Sequence, residues 1–206
     1  MEIKNNKEEV PFQHYLGQFQ QMDPEDAVRR LEIPFDGSAF TLGLLDQTYT
    51  IAWPEYAISC GDPNAFALGR LQAQTFLLRY LLVGKHLPAA GTWKTFRQLP
   101  WGEVYLQPFN GRCIRRSAVT FGRDLNRFAA ASRELGGVEL HQGDRGFEFA
   151  VVQDYRIRVI VWEAAEEFAP NAQILFSDNF AAGFLADESV TAAELLIGAI
   201  SAAMAR

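Results

Sequence analysis

The chain has only two cysteines in 206 residues, Cys60 and Cys113, far apart and without a metal-ligand spacing. That excludes a disulfide framework and a cysteine-built metal centre, and it fits free, buried thiols in a reducing compartment. Long hydrophobic runs are absent as well. None reaches the ~18 residues a membrane span needs, and the polar start MEIKNNKEEV lacks the apolar stretch of a signal peptide. A cytoplasmic protein with no membrane attachment is the expectation. The patterns GxxxxGK[ST], GxGxxG, HExxH, CxxC and GxSxG do not occur, so phosphate cradles, zinc hydrolysis and dithiol redox chemistry have no support. The three histidines, His14, His86 and His141, stand in separate segments and read as surface or capping residues. No metal site follows from these residues, and no cofactor is indicated.

What is present is an ordinary globular composition, 49% hydrophobic and 21% charged, with an excess of phenylalanine at 16. A chain of this length buries roughly 70% of its extended surface, so it needs no staples. With no repeat, low-complexity tract or linker, residues 1–206 read as one domain, with residues 1–22 as a peripheral N-terminal helix. Lys7 to Gln20 places Phe12, Tyr15, Leu16 and Phe19 on one side of that helix, with Pro11 tolerable only in its first turn. Asp23-Pro24 starts a second helix, and Pro34 follows its end. Phe40 to Trp53 alternates as a hairpin. A turn at Asp46-Gln47 would oppose Phe40 to Trp53, Leu42 to Ile51 and Leu44 to Tyr49, all on one face. Asp62-Pro63 opens the longest predicted helix, Pro63 to Val83, ended by Gly84.

Beyond a loop at Thr92-Trp93, the pattern predicts a short strand at Val104 to Leu106, then helices near Arg112 to Thr120 and Arg123 to Leu135, split at Gly122. Phe147 to Gln153 and Arg156 to Trp162 form a hairpin about Asp154-Tyr155, with the second strand apolar on both faces and therefore central. Three carboxylates and Pro170 then force an acidic loop, and Gln173 to Phe176 returns as a strand. Phe168 reads as a plug for the core beneath that loop. Thr191 with Glu194 makes a capping box for a docked terminal helix. Hairpins and a meander packed with several helices give the fold class: α+β with antiparallel sheet, not a doubly wound fold.

Charge is more informative in its distribution than in its net value of −6. Residues 94–133 hold 8 basic and 2 acidic groups, between two acidic flanks. Lys94, Arg97, Arg112, Arg115, Arg116, Arg123, Arg127 and Arg133 are suited to phosphate or carboxylate, because guanidinium forks pair with both bidentately. Equally, they would serve as ion-pair partners for Glu163, Glu166 and Glu167 of the acidic loop, or lie solvated. Those three carboxylates are candidates for acid–base work or for a hard cation, against a solvated turn as the plainer reading. Arg97, with Trp93 and Trp101 nearby, is suited to a planar anion. The candidate ligand-binding residues are therefore Arg97, Trp101, Arg112, Arg116, Glu163, Glu166 and Glu167. An acidic chain with a pI near 5.1 is a poor partner for nucleic acid.

Trp162-Glu163, Glu166-Glu167-Phe168, Pro170-Asn171 and Ile174-Leu175-Phe176 resemble a bacterial and archaeal family catalogued as domain of unknown function 3786. Phe96-Arg97-Gln98-Leu99-Pro100 with Gly102, Phe121-Gly122, and Leu135-Gly136-Gly137 extend the likeness from the Asp23 helix onward. Ala165 and Ala169 depart from the family pattern, which tends to Asp and Pro there. The resemblance implies a setting in anaerobes and, from fusions with a four-cysteine domain, an iron–sulfur or other metabolic protein partner that would carry any cluster. Three functions follow as expectations: an accessory or small-ligand-binding module, an enzyme acting on a small anionic substrate through the arginines and the acidic loop, or a structural, oligomerising protein.

Overall fold

A computed structural model of the chain describes residues 7–166 and 168–206. It is α+β, with two antiparallel sheets of three and five strands, in two compact units, Met1–His86 and Leu87–Arg206.

In the first unit, α1 (Glu9–Phe19) carries Pro11 in its first turn. It buries Phe19 edge-on against Phe40 and Tyr56. Helix α2 (Pro24–Leu31) starts as its sequence dictates: Pro24 is its first residue, and Asp23 accepts the Glu25 N–H at 3.0 Å. Strands β1 (Ala39–Leu44) and β2 (Gln47–Ala52) pair Phe40 with Ile51, Leu42 with Tyr49 and Leu44 with Gln47, and β3 (Ile58–Cys60) adds to β2. The expected face is the buried one, but the register is two residues away from that predicted. The turn is Leu45-Asp46, with Leu45 at φ +55°, and because the shift is even the apolar set stays on the core side.

Helix α3 is Leu71–Val83, eight residues shorter at its start than predicted. Asp62 does cap Asn64, but the following backbone is held from outside any helix. Tyr49 Oη accepts the Ala67 N–H, and the Gln74 amide donates to the Ala67 and Leu68 carbonyls. At the other end of α3, Arg30 donates to the carbonyls of Leu81, Leu82 and Gly84. These are groups that a helix C-terminus leaves without internal partners.

The second unit is built on β4 (Trp93–Thr95), β5 (Val138–Leu140), β6 (Arg145–Val152), β7 (Tyr155–Trp162) and β8 (Asn171–Ser177), in the order β4-β8-β7-β6-β5. The meander and the central strand are as predicted. The β6–β7 turn is Gln153-Asp154, with Val152 opposite Tyr155 and Gln153 at φ +47°, one residue earlier than expected. Tyr155, Ile157, Val159 and Val161 on one face of β7 are fully buried.

Against that face lies a helical run: α4 (Leu106–Phe109), a π-helical segment (Asn110–Arg115) and α5 (Arg116–Phe121). Leu106 therefore begins a helix, and the strand expected at Val104–Leu106 is instead β4, eleven residues upstream. Helix α6 (Leu125–Glu134) follows, then α7 (Phe180–Gly183) and α8 (Ala186–Met204), at 19 residues the longest described. Helix α8 begins five residues before Thr191, because Glu188 caps the Leu185 N–H at 2.8 Å. Inside the helix the Thr191 hydroxyl bonds back to the Asp187 carbonyl. The phenylalanine excess is accounted for here: Phe96 stacks on Phe109 at 4.2 Å and both meet Phe176, while Phe121 stacks on Phe128 at 4.9 Å, which meets Phe147 edge-on.

Candidate functional site

Arg97 forms a fork with Glu103 (Nε–Oε2 2.6 Å, Nη2–Oε1 2.9 Å), which holds the Glu103 carboxyl below its ordinary range. Trp101, in the same turn, has φ +62° and is 71% exposed. Arg112, in the π-helical segment, makes a second fork with Glu194 of α8 (2.7 and 2.6 Å). Both guanidinium groups thus face carboxylates of their own chain. Arg133 pairs with Glu139, and Arg127 lies 3.9 Å from Asp124. Arg116 is exposed, and among the described residues it has no carboxylate partner. Glu163 and Glu166 are exposed on the acidic loop, while Glu167 lies outside the described residues. Among the described residues no arginine of the basic band pairs with Glu163 or Glu166. Nor do any three His, Cys, Asp or Glu side chains gather as metal ligands do.

The band and the loop meet at one cleft of about 500 Å³, lined by Arg123, Asp124, Leu125, Asn126, Asp144, Arg145 and Glu163. Three chain reversals build it. Asp124 caps α6 by accepting the Arg127 N–H at 2.9 Å, which presents Arg123 and Asn126 at the helix entrance. Gly143, at φ +65°, turns the chain from β5 into β6, and a Cβ there would lie 2.6 Å from Ile160 Cγ2 and 2.9 Å from the Val161 carbonyl. That close approach brings the Asp144 N–H to the Val161 carbonyl (3.0 Å) and the Asp144 carboxylate to the Glu163 N–H (2.9 Å). Asp144 thereby fixes where β7 ends and the acidic loop begins. Arg145 donates from Nη1 to the Asp144 carbonyl at 3.0 Å, and its Nε is a buried donor without an acceptor among the described residues. Buried donors in folded proteins almost always find a partner, so this one is an exception among the described residues. Asp144, Arg145 and Asn126 had no signal in the sequence beyond a charged pair between Gly143 and Gly146.

On its other side the same loop borders a more apolar groove of about 640 Å³, lined by Gln107, Asn110, Gly111, Ile114, Arg115, Ala118, Val119 and Ala169 to Asn171. Gly122 joins the two sides: a Cβ there would lie 2.6 Å from the Ala118 carbonyl and 2.8 Å from Pro170 Cβ. Only glycine lets the end of α5 sit under the loop. At the loop's tip Ala165 and Phe168 exchange backbone hydrogen bonds of 3.0 and 3.1 Å. Phe168 is not the core plug it was expected to be. It is 72% exposed.

Fold and site together define an α+β protein with a polar cleft beside an acidic loop. Residues 23–199 match the family model described as "Domain of unknown function (DUF3786)", and the chain belongs to that family. No curated protein and no solved structure matches it. Three of the residue pairs that carry the resemblance, Phe121-Gly122, Trp162-Glu163 and Pro170-Asn171, meet where α5 passes under the loop. Among the described residues no helix is long and apolar enough to cross a membrane.

Proposed function

We propose that the chain is a non-enzymatic module that binds a small polar ligand bearing a carboxylate or phosphate group. The observation that carries this reading is a cleft lined by two guanidinium groups, Arg123 and Arg145, of which Arg123 has no carboxylate partner among the described residues. A guanidinium edge without an acceptor is suited to an anionic oxygen. Glu163, Asp124 and Asp144 on the same rim favour a ligand that also carries hydroxyl or ammonium donors, over a bare inorganic anion. Arg97 and Arg112 are poorer clamps, because a ligand would first have to displace Glu103 or Glu194. The setting in anaerobic metabolism, with an iron–sulfur protein as partner, rests on the family resemblance alone.

The test is native mass spectrometry of the full chain purified without oxygen from its own cells, run beside an Arg145→Ala variant. A small bound mass on the natural chain that is lost from the variant is the expected result. A bare polypeptide mass, under conditions that preserve a control complex, would overturn the reading.

A further inference from the structure

We propose that the apolar side of the acidic loop is a two-fold interface, at which two copies of this chain exchange Phe168. The inference begins with a knob and a hole side by side. Phe168 exchanges two backbone hydrogen bonds with Ala165 and is 72% exposed. The residues that follow it, Ala169 and Pro170, form one wall of the groove whose other wall holds Ile114, Ala118 and the 40% exposed Val119. A projecting ring next to an apolar groove is self-complementary: rotation by half a turn sets the knob of each copy over the hole of the other.

The charges on the patch obey the same symmetry. Arg115 lines the groove, is exposed, and has no carboxylate partner among the described residues. Glu166 stands exposed at the loop tip. A surface built for an unrelated acidic or basic protein would carry one sign. Here both signs occur within one patch, and the rotation that exchanges Phe168 also sets Arg115 of each copy towards Glu166 of the other. Each buried phenylalanine contributes roughly 150–250 Å² of contact. Two of them supply roughly 300–500 Å², to which Val119 and the groove walls add, a size that suits a weak, reversible dimer with an affinity on the order of micromolar rather than a permanent one. This interface does not depend on the ligand proposed for the cleft, which lies on the other side of the loop.

Sedimentation equilibrium of the full chain from about 1 to about 100 μM brackets that affinity. The expected result is a monomer–dimer equilibrium. Phe168→Ala and Arg115→Glu each weaken it at least ~10-fold, and Arg115→Glu combined with Glu166→Arg recovers most of the loss. All three positions are exposed, and an unchanged circular dichroism spectrum verifies the fold of each variant. A natural chain that stays monomeric throughout, an open-ended assembly, a dimer indifferent to the single substitutions, or a double variant as weak as Arg115→Glu would each overturn the two-fold exchange.

Discussion

Among the described residues of Met1–His86, Arg30, Asp23 and Asp36 hold backbone groups; in Leu87–Arg206 Asp124, Asp144 and Glu188 do so too, but other charged side chains there line a cleft or groove without a carboxylate partner. Arg30 satisfies three carbonyls at the end of α3, Asp23 caps α2, and Asp36 accepts from the Ser38 N–H, the Ser38 hydroxyl and the Ala39 N–H, each at 2.8 Å. The second unit has forks of its own, yet it leaves Arg145 Nε without an acceptor and Arg115 and Arg116 without carboxylates among the described residues. Groups engaged with backbone hold a chain in shape, so removing them lowers stability. Groups left over near a cleft or groove are available to something else, and their removal acts on binding.

Three substitutions sharpen that contrast. The largest effect belongs to the aromatic core under the cleft. Phe128→Ala removes a fully buried ring that packs on Phe121 and Phe147, and it should cost about 3–5 kcal/mol in urea unfolding. Because α6 carries part of the cleft, ligand retention should fall with it, and a loss below ~1 kcal/mol would show that Phe128 is not integral to that core. Next comes Arg30→Ala, which leaves the α3 carbonyls uncapped at a side chain 24% exposed. A loss of about 1–2 kcal/mol is expected, with the bound mass on the second unit unchanged. If ligand retention fell as well, the division between supporting and available charges would not hold.

The smallest effect is at Asp36, whose carboxyl lies below its ordinary value of 3.8 because Ser38 and Ala39 donate to it. A lowered native value means that this stabilisation is present above 3.8 and lost as pH falls through the lowered value. The difference in urea midpoint between the natural chain and Asp36→Ala should therefore be steady at neutral pH and shrink in acid. A difference that persists undiminished in acid would assign the effect to the turn's geometry alone.

Much of the fold was legible because apolar periodicity survives local errors. The hairpin at Phe40 to Trp53 showed its buried face although its turn was misplaced, since Leu45 adopts a left-handed conformation that its side chain does not advertise. The same holds at Gln153. The remaining errors have different causes: Tyr49 reaches across the fold to hold the chain before Leu71 out of the helix, Glu188 caps Leu185 locally and so starts α8 before Thr191, and the stretch expected as a strand at Val104–Leu106 enters a helix at Leu106. Of the cleft, Glu163 and Arg123 were visible as members of a charged loop and a basic band. Asp144 and Arg145 were not, because their role comes from the tight passage of Gly143 against β7. Phe168 illustrates the opposite failure. Hydrophobicity assigned it to the core, whereas its backbone pairing with Ala165 at the loop tip leaves it in solvent.

The π-helical segment carries a last consequence. A turn of this kind is what a helix shows when one residue has been inserted without lengthening the gap between its ends. Upstream of it, Phe109 faces the sheet; within it, Arg112 reaches Glu194 while Arg115 turns to the groove. Removing one residue from Asn110–Arg115 would therefore restore an ordinary helix and leave the turns on either side, with Phe109 and Phe121, on their present faces. In a family member lacking that residue, counting forward from Phe109 without a gap would assign the groove-facing role of Arg115 to the wrong position, so alignments across this stretch should be anchored on Phe109 and Phe121 separately.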